Sequence, residues 1–131
     1  MSDWHGILVV DDDEDVREMI MLVLALEGYQ VVGAQDGLEA LEKIRTHGSP
    51  KLILLDLRMP RLNGADFVRA LRRDPAHASI PIVILSGDAS ALDAAQSLGA
   101  LDLLIKPVEL AQLLGVASRV LPAANHPEKP S

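Results

Sequence analysis

The chain has 131 residues, of which 49% are hydrophobic, 24% charged and only 2% aromatic, and nineteen acidic against twelve basic side chains leave a net charge of −7. This length suits one domain with a real core, the composition excludes disordered, collagenous and disulfide-stapled classes, and the lack of cysteine removes thiolate zinc sites and cysteine nucleophiles. The acidic balance argues against nucleic acid as a partner; no apolar stretch approaches the ~20 residues that span a bilayer and no signal segment opens the chain, so a soluble, cytoplasmic protein off the membrane is expected.

Short apolar runs alternate with stretches of helical period, the pattern of repeated βα units. Residues 7–10 (Ile-Leu-Val-Val) read as a first strand. A helix follows over 14–27 with Val16, Met19, Ile20, Val23 and Leu24 on its stripe and Gly28 as its C-terminal stop. Residues 30–34 form a second strand, and Leu38, Leu41 and Ile44 mark a second helix ending near His47 and Gly48, before Pro50. Residues 52–55 are apolar without alternation, as in a central parallel strand covered on both faces. A loop through Pro60 and Gly64 leads to a third helix carrying Phe67, Val68 and Leu71. Residues 80–85 are the fourth strand, with Pro81 at its start, where a missing donor is tolerated. A short helix over 89–98, a fifth strand over 101–105 and a fifth helix over 108–120, with Leu110, Leu113, Leu114 and Ala117 inward, complete the domain, residues 1–121. The polar, proline-rich residues 122–131 are expected to be a disordered tail or linker remnant.

In an open parallel sheet ligands bind beyond the carboxyl ends of the strands. Those ends carry Asp11, Asp12 and Asp13, then Asp56, Ser86 and Lys106. Asp13, Glu14 and Asp15 suit a helix cap and first turn. Asp11 and Asp12 continue an apolar strand and face Asp56 across the rim, and clustered carboxylates repel unless a cation sits among them. Mg²⁺ fits, since it takes hard oxygen ligands and uses one or two carboxylates beside a phosphate. Asp56, at the end of an apolar strand, is placed to accept a phosphoryl group as an aspartyl phosphate. Lys106 supplies positive charge, Ser86 a hydroxyl for a phosphoryl oxygen, and Gly87 room beside it. The histidines at 5, 47, 77 and 126 have no metal-ligand spacing and read as surface residues.

The strings Ile7-Leu-Val-Val-Asp-Asp-Asp13, Leu54-Leu-Asp-Leu-Arg-Met-Pro60, Asn63-Gly64, Ile84-Leu-Ser-Gly87 and Lys106-Pro107 together resemble the receiver domain of two-component response regulators, over about residues 6–121. The resemblance implies a flavodoxin-like (βα)5 fold, a doubly wound parallel α/β sheet of strand order 2-1-3-4-5. It further implies phosphoryl transfer from a sensor histidine kinase, or a phosphotransfer protein, to Asp56. Asp11 and Asp12 match the acidic Mg²⁺ pair, and Arg58 the position whose backbone carbonyl binds the metal. Lys106 matches the phosphate-pairing lysine, Ser86 the switch hydroxyl, and the Lys106–Pro107 bond is cis in that family. Leu103 and Val108 depart from the pattern by replacing frequent aromatics, so an inward-turning ring cannot report the state of Ser86. The all-round apolar character of residues 19–26 suggests either a deeply covered helix or a docking surface for a kinase or a second copy. The output partner is open, as is monomer against phosphorylation-dependent homodimer.

Three rival readings stand beside this one. Asp11-x-Asp13 fits a haloacid-dehalogenase-like phosphatase, with Asp11 as nucleophile, but Asp15 and the shortness of the chain oppose it. Asp11, Asp13 and Asp15 alternate as in a calcium loop, yet Val16 replaces its turn glycine and Leu22 its bidentate Glu. A degenerate receiver serving only as an interaction module is the third.

Overall fold

The computed structural model describes residues 6–58 and 63–121. In chain order it contains β1 (Gly6–Val10), α1 (Glu14–Leu26), β2 (Gln30–Ala34), α2 (Gly37–His47), β3 (Leu52–Asp56), α3 (Gly64–Arg72), β4 (Ile82–Ser86), α4 (Leu92–Ser97), β5 (Asp102–Ile105) and α5 (Leu110–Val120), with short 3-10 turns at Pro75–His77 and Ala89–Ala91. The expected tail 122–131, His5, His126 and the Pro60 part of the third loop lie outside the described residues. No helix among the described residues is long and apolar enough to cross a membrane.

All five strands are parallel in the order β2-β1-β3-β4-β5, the flavodoxin-like arrangement expected. Because successive side chains on a strand point to opposite faces, the apolar strands feed two cores at once. Ile7, Val9, Leu52, Leu54, Val83 and Leu85 meet α1 and α5 through Ile20, Leu24, Leu113 and Ala117. Leu8, Val10, Ile53, Leu55, Ile82 and Ile84 meet α2, α3 and α4 through Ala40, Ile44, Phe67, Leu71 and Ala95. Burial on both faces explains why β1 and β3 carry no polar alternation.

Helix ends follow local chemistry. The Asp13, Asp36 and Asn63 side chains each accept backbone N–H bonds at the starts of α1, α2 and α3. After α1, Gly28 takes φ 96°, its N–H donates to the Ala25 carbonyl at 3.0 Å and that of Tyr29 to Leu24 at 3.1 Å. That pair of bonds is a Schellman stop, and it places Tyr29 in the core beside Leu24.

Several expected details are corrected. Met19 and Leu38 are about half exposed, because the buried stripe of α1 runs through Ile20 and Leu24 and that of α2 through Gly37, Ala40 and Ile44. Each of the two residues sits one step, or about 100°, away from a buried position. Small Gly37 and Ala40 let α2 lie close to the sheet but carry little hydropathic signal. Leu110 has the right phase but is the first residue of α5, at the rim of the sheet, and is 56% exposed. The fourth strand begins at Ile82: Pro81 has no N–H to give, and only its carbonyl pairs, accepting from Ile53 at 3.0 Å. The fourth helical stretch divides into the 3-10 turn and α4. His77 is not a plain surface residue; its Nδ1 lies 2.7 Å from Ser49 Oγ in a part-buried contact.

Candidate functional site

Going outward from β1 the chain turns one way to β2, and from β3 the other way to β4, so β1 and β3 are neighbours at the point where the order reverses. In open parallel sheets this reversal point, beyond the carboxyl ends of the two strands, is where ligands bind. Asp11 continues β1, its N–H bonded to the Ala34 carbonyl of β2 at 3.1 Å, and is fully buried. Its Oδ1 accepts from the Asp13 N–H at 3.0 Å, and Asp13 in turn caps α1 by accepting from Asp15 and Val16. The acidic run therefore divides: Asp11 and exposed Asp12 go to the rim, and Asp13 to the helix. The carboxylates grouped with Asp11 are those of Asp12 and Asp56, not that of Asp13, which the phosphatase and calcium-loop readings use.

Asp56 ends β3, is 6% exposed, and accepts the Arg58 N–H on Oδ1 at 3.1 Å. Lys106 follows β5 and reaches across the end of β4. Its Nζ stands 2.8 Å from Asp11 Oδ2 and 3.5 Å from Asp56 Oδ2. Ligand atoms of Asp11, Asp12 and Asp56 all lie within 4.8 Å of one another. Asp11 Oδ2 is buried, and among the described residues the Lys106 ammonium is the charge set against it. Three close hard oxygens of this kind make a set that can hold a metal ion.

The charges are under tension. Burial pushes the Asp56 carboxyl up, and the negative Asp11 adds to it; the Arg58 N–H and Lys106 pull the other way, leaving the carboxyl at about 6 against an ordinary 3.8. Burial pulls the Lys106 ammonium down, but Asp11 and Asp56 outweigh it and its pKa ends above the ordinary value. One cation thus serves two carboxylates.

Ser86 ends β4 beside this group, and the Lys106 N–H donates to its carbonyl at 2.7 Å. Its hydroxyl donates to the Asp88 carbonyl and accepts the Asp88 N–H, each at 3.1 Å, so it currently closes its own turn. A Cβ placed on Gly87 would meet nothing within 4 Å, which agrees with open space beside Ser86. The Lys106–Pro107 bond is cis. Leu103, opposite Ile84, packs partly buried against the α2–α3–α4 core, and Val108 against the other.

Two residues carry geometry that the sequence reading did not assign. A Cβ on Gly64 would lie 2.7 Å from Leu57 Cα and 2.9 Å from the Asp56 carbonyl oxygen, so glycine lets α3 start against the backbone that follows β3. Gly64→Ala is expected to lower unfolding free energy by about 1–3 kcal/mol in urea titrations, because backbone rather than a flexible side chain must give way. Arg17 donates through NH1 to the Asp11 carbonyl at 2.8 Å. Its signal in the sequence is only an arginine one turn beyond the Asp13 cap.

Comparison with known proteins agrees with this architecture. The family described as response regulator receiver domain matches residues 7–118. The chain is 40% identical over 110 residues to the DNA-binding response regulator MtrA of Mycolicibacterium paratuberculosis, covering 82% of this chain and 47% of that protein. It is 40% identical over 126 residues to the response regulator MprA of Mycobacterium sp. strain KMS, covering 95% and 54%. The chain thus spans about half the length of the curated relatives it matches. Among solved structures, a response regulator from Chloroflexus aurantiacus superposes with TM-score 0.83 at 37% identity, covering 89% of this chain and 97% of that one. The chemotaxis protein CheY4 of Vibrio cholerae gives 0.80 at 32% identity, covering 92% and 98%.

Proposed function

This chain belongs to the response regulator receiver domain family, and on that premise we propose that it is a phosphorylation switch in which Asp56 accepts a phosphoryl group from the phosphohistidine of a sensor kinase or phosphotransfer protein. The observation that carries the reading is the convergence on Asp56 of Lys106 from β5 and of Asp11 from β1, at the sheet's reversal point. An Asp56 oxygen forms the O–P bond as the donor's N–P bond breaks and the imidazole leaves. Such a transfer needs little beyond alignment and neutralisation of charge on the transferring oxygens.

Each residue has a part in that. Asp11, Asp12, Asp56 and the Arg58 carbonyl would hold Mg²⁺, which would supply neutralisation of phosphoryl charge. Lys106 shares that task from the opposite strand, and also keeps Asp11 from standing uncompensated in the interior. Ser86, once released from Asp88, offers its hydroxyl to a phosphoryl oxygen, which couples the turn after β4 to the state of Asp56. With Leu103 in place of a ring, repacking around Leu103 or another surface carries the signal. Met19, Leu22 and Leu26 are exposed on α1, which supports that helix as a docking surface for a kinase or a second copy. The net charge of −7 supports a protein rather than a nucleic acid as the partner of this domain. Intact mass after incubation with a small-molecule phosphodonor tests the reading. One phosphoryl adduct is expected with Mg²⁺ and none with chelator; absence of an adduct with every donor and with the cognate kinase leaves the degenerate interaction module.

A further inference from the structure

We infer that Arg17 is a positioning residue for the metal-binding acidic pair: it holds the peptide unit between Asp11 and Asp12 and so sets affinity for the divalent cation, an inference that rests on the reading of the site given above. The Asp11 carbonyl belongs to the planar peptide joining Asp11 to Asp12, so its direction fixes ψ of the first residue and φ of the second. The β1–β2 ladder closes with the Asp11 N–H on Ala34, and the carbonyl just beyond it is taken by Arg17 NH1 at 2.8 Å. Asp11 is thereby held at three points: its N–H by β2, its Oδ1 by the Asp13 N–H, and its carbonyl by α1. Asp12 is exposed and depends on that peptide plane for its place.

The path of the Arg17 side chain is prepared by the sequence. It crosses β2 at Gly33, where an added Cβ would come within 3.3 Å of Arg17 Cδ and 2.6 Å of Met21 Sδ. The guanidinium delivers a charge-assisted bond to a carbonyl, stronger than a neutral donor gives. Among the described residues Arg17 forms no ion pair with the Asp11, Asp12 or Asp56 carboxylates; it acts through the backbone between two ligands. Groups of that kind commonly change metal affinity by 10–100-fold when removed.

The sign of the effect separates this role from simple electrostatics. If Arg17 were merely a cation near an acidic cluster, removing it would tighten Mg²⁺ binding, because a repulsion is lost. Positioning demands the reverse. Mg²⁺ affinity is measured by titration calorimetry on the unphosphorylated protein, with thermal unfolding in chelator as the check on folding, for wild type, Arg17→Met and Arg17→Lys. The Met variant keeps the stem without donor or charge, and its Kd is expected to rise about tenfold. The Lys variant, which keeps a donor able to reach the carbonyl, is expected to recover most of the loss. Equal or tighter Mg²⁺ binding by Arg17→Met overturns the inference, as does a Lys variant that binds as poorly as Met while folding like wild type. If Arg17→Met does not fold, the Lys variant is paired with Arg17→Gln, a shorter neutral donor, and tighter binding by Gln than by Lys overturns it. If the wild type itself binds no Mg²⁺ and forms no adduct, the proposed function falls and takes the inference with it.

Discussion

Asp56→Asn is expected to abolish the phosphoryl adduct completely and at the same time to make the metal-free protein more stable at neutral pH. The first effect follows from removing the nucleophilic oxygen. The second follows from the cost of the charge that oxygen carries. Asp56 is buried next to Asp11, and its carboxyl is raised from 3.8 to about 6 in the folded protein. A carboxyl raised on folding favours the native state fully below its unfolded value, and that contribution is lost as pH climbs from 3.8 through about 6. Above this window the wild type carries the whole penalty, about 1–3 kcal/mol, while the amide carries none. In chelator, the melting temperature of Asp56→Asn should therefore exceed that of wild type by several degrees at pH 7.5. Near pH 4 the two should converge. Mg²⁺ should close the gap at pH 7.5 by stabilising the wild type more than the variant. A retained adduct in Asp56→Asn would remove Asp56 as acceptor, and a variant less stable than wild type at pH 7.5 would show that the pairing of its charge with Lys106 outweighs its burial.

Lys106→Ala is expected to act in the opposite direction on stability and the same direction on transfer. The ammonium is the only cation the described residues place against Asp11 Oδ2, at 2.8 Å, and Asp11 is fully buried. Taking away one partner of such a pair leaves the other charge uncompensated, which costs more than the pair itself contributed. Chemical denaturation in chelator at pH 7.5 should show a loss of about 2–4 kcal/mol. Mg²⁺ should restore more of this loss in the variant than it adds to the wild type, since it can balance the same carboxylates. Phosphoryl transfer should slow by roughly tenfold or more even in saturating Mg²⁺, because charge on the transferring oxygens loses a preorganised donor. Unchanged stability together with an unchanged adduct rate would assign Lys106 to the solvent.

Much of this was legible from local patterns. Apolar runs without alternation marked β1 and β3 as strands covered on both faces, and the carboxylates following each run pointed to one rim. Asp13 as a cap and Gly28 as a helix stop depend on neighbours within one turn, and both stand where their chemistry put them. Helix faces were less legible. Met19 and Leu38 fit a helical period as well as the true inward residues do, because hydropathy marks two possible arcs and the sheet covers only one. Gly37 and Ala40, which define the inner face of α2, are too small to announce themselves.

By itself, then, the order of residue types along the chain determined the element sequence, the helix caps and the inventory of groups at the strand ends, since each arises from contacts within a few residues. The resemblance of the motifs supplied the strand order. Only the tertiary structure decided how that inventory is wired: that Lys106 reaches past β4 to Asp11 more closely than to Asp56, that Ser86 closes its own turn, and that Arg17 reaches over Gly33 to hold the Asp11 carbonyl. Those contacts join residues far apart in the chain, so their distances depend on how two helix layers and five strands pack together. The raised carboxyl of Asp56 has the same origin, because desolvation and the field of Asp11 exist only once β1 and β3 lie side by side.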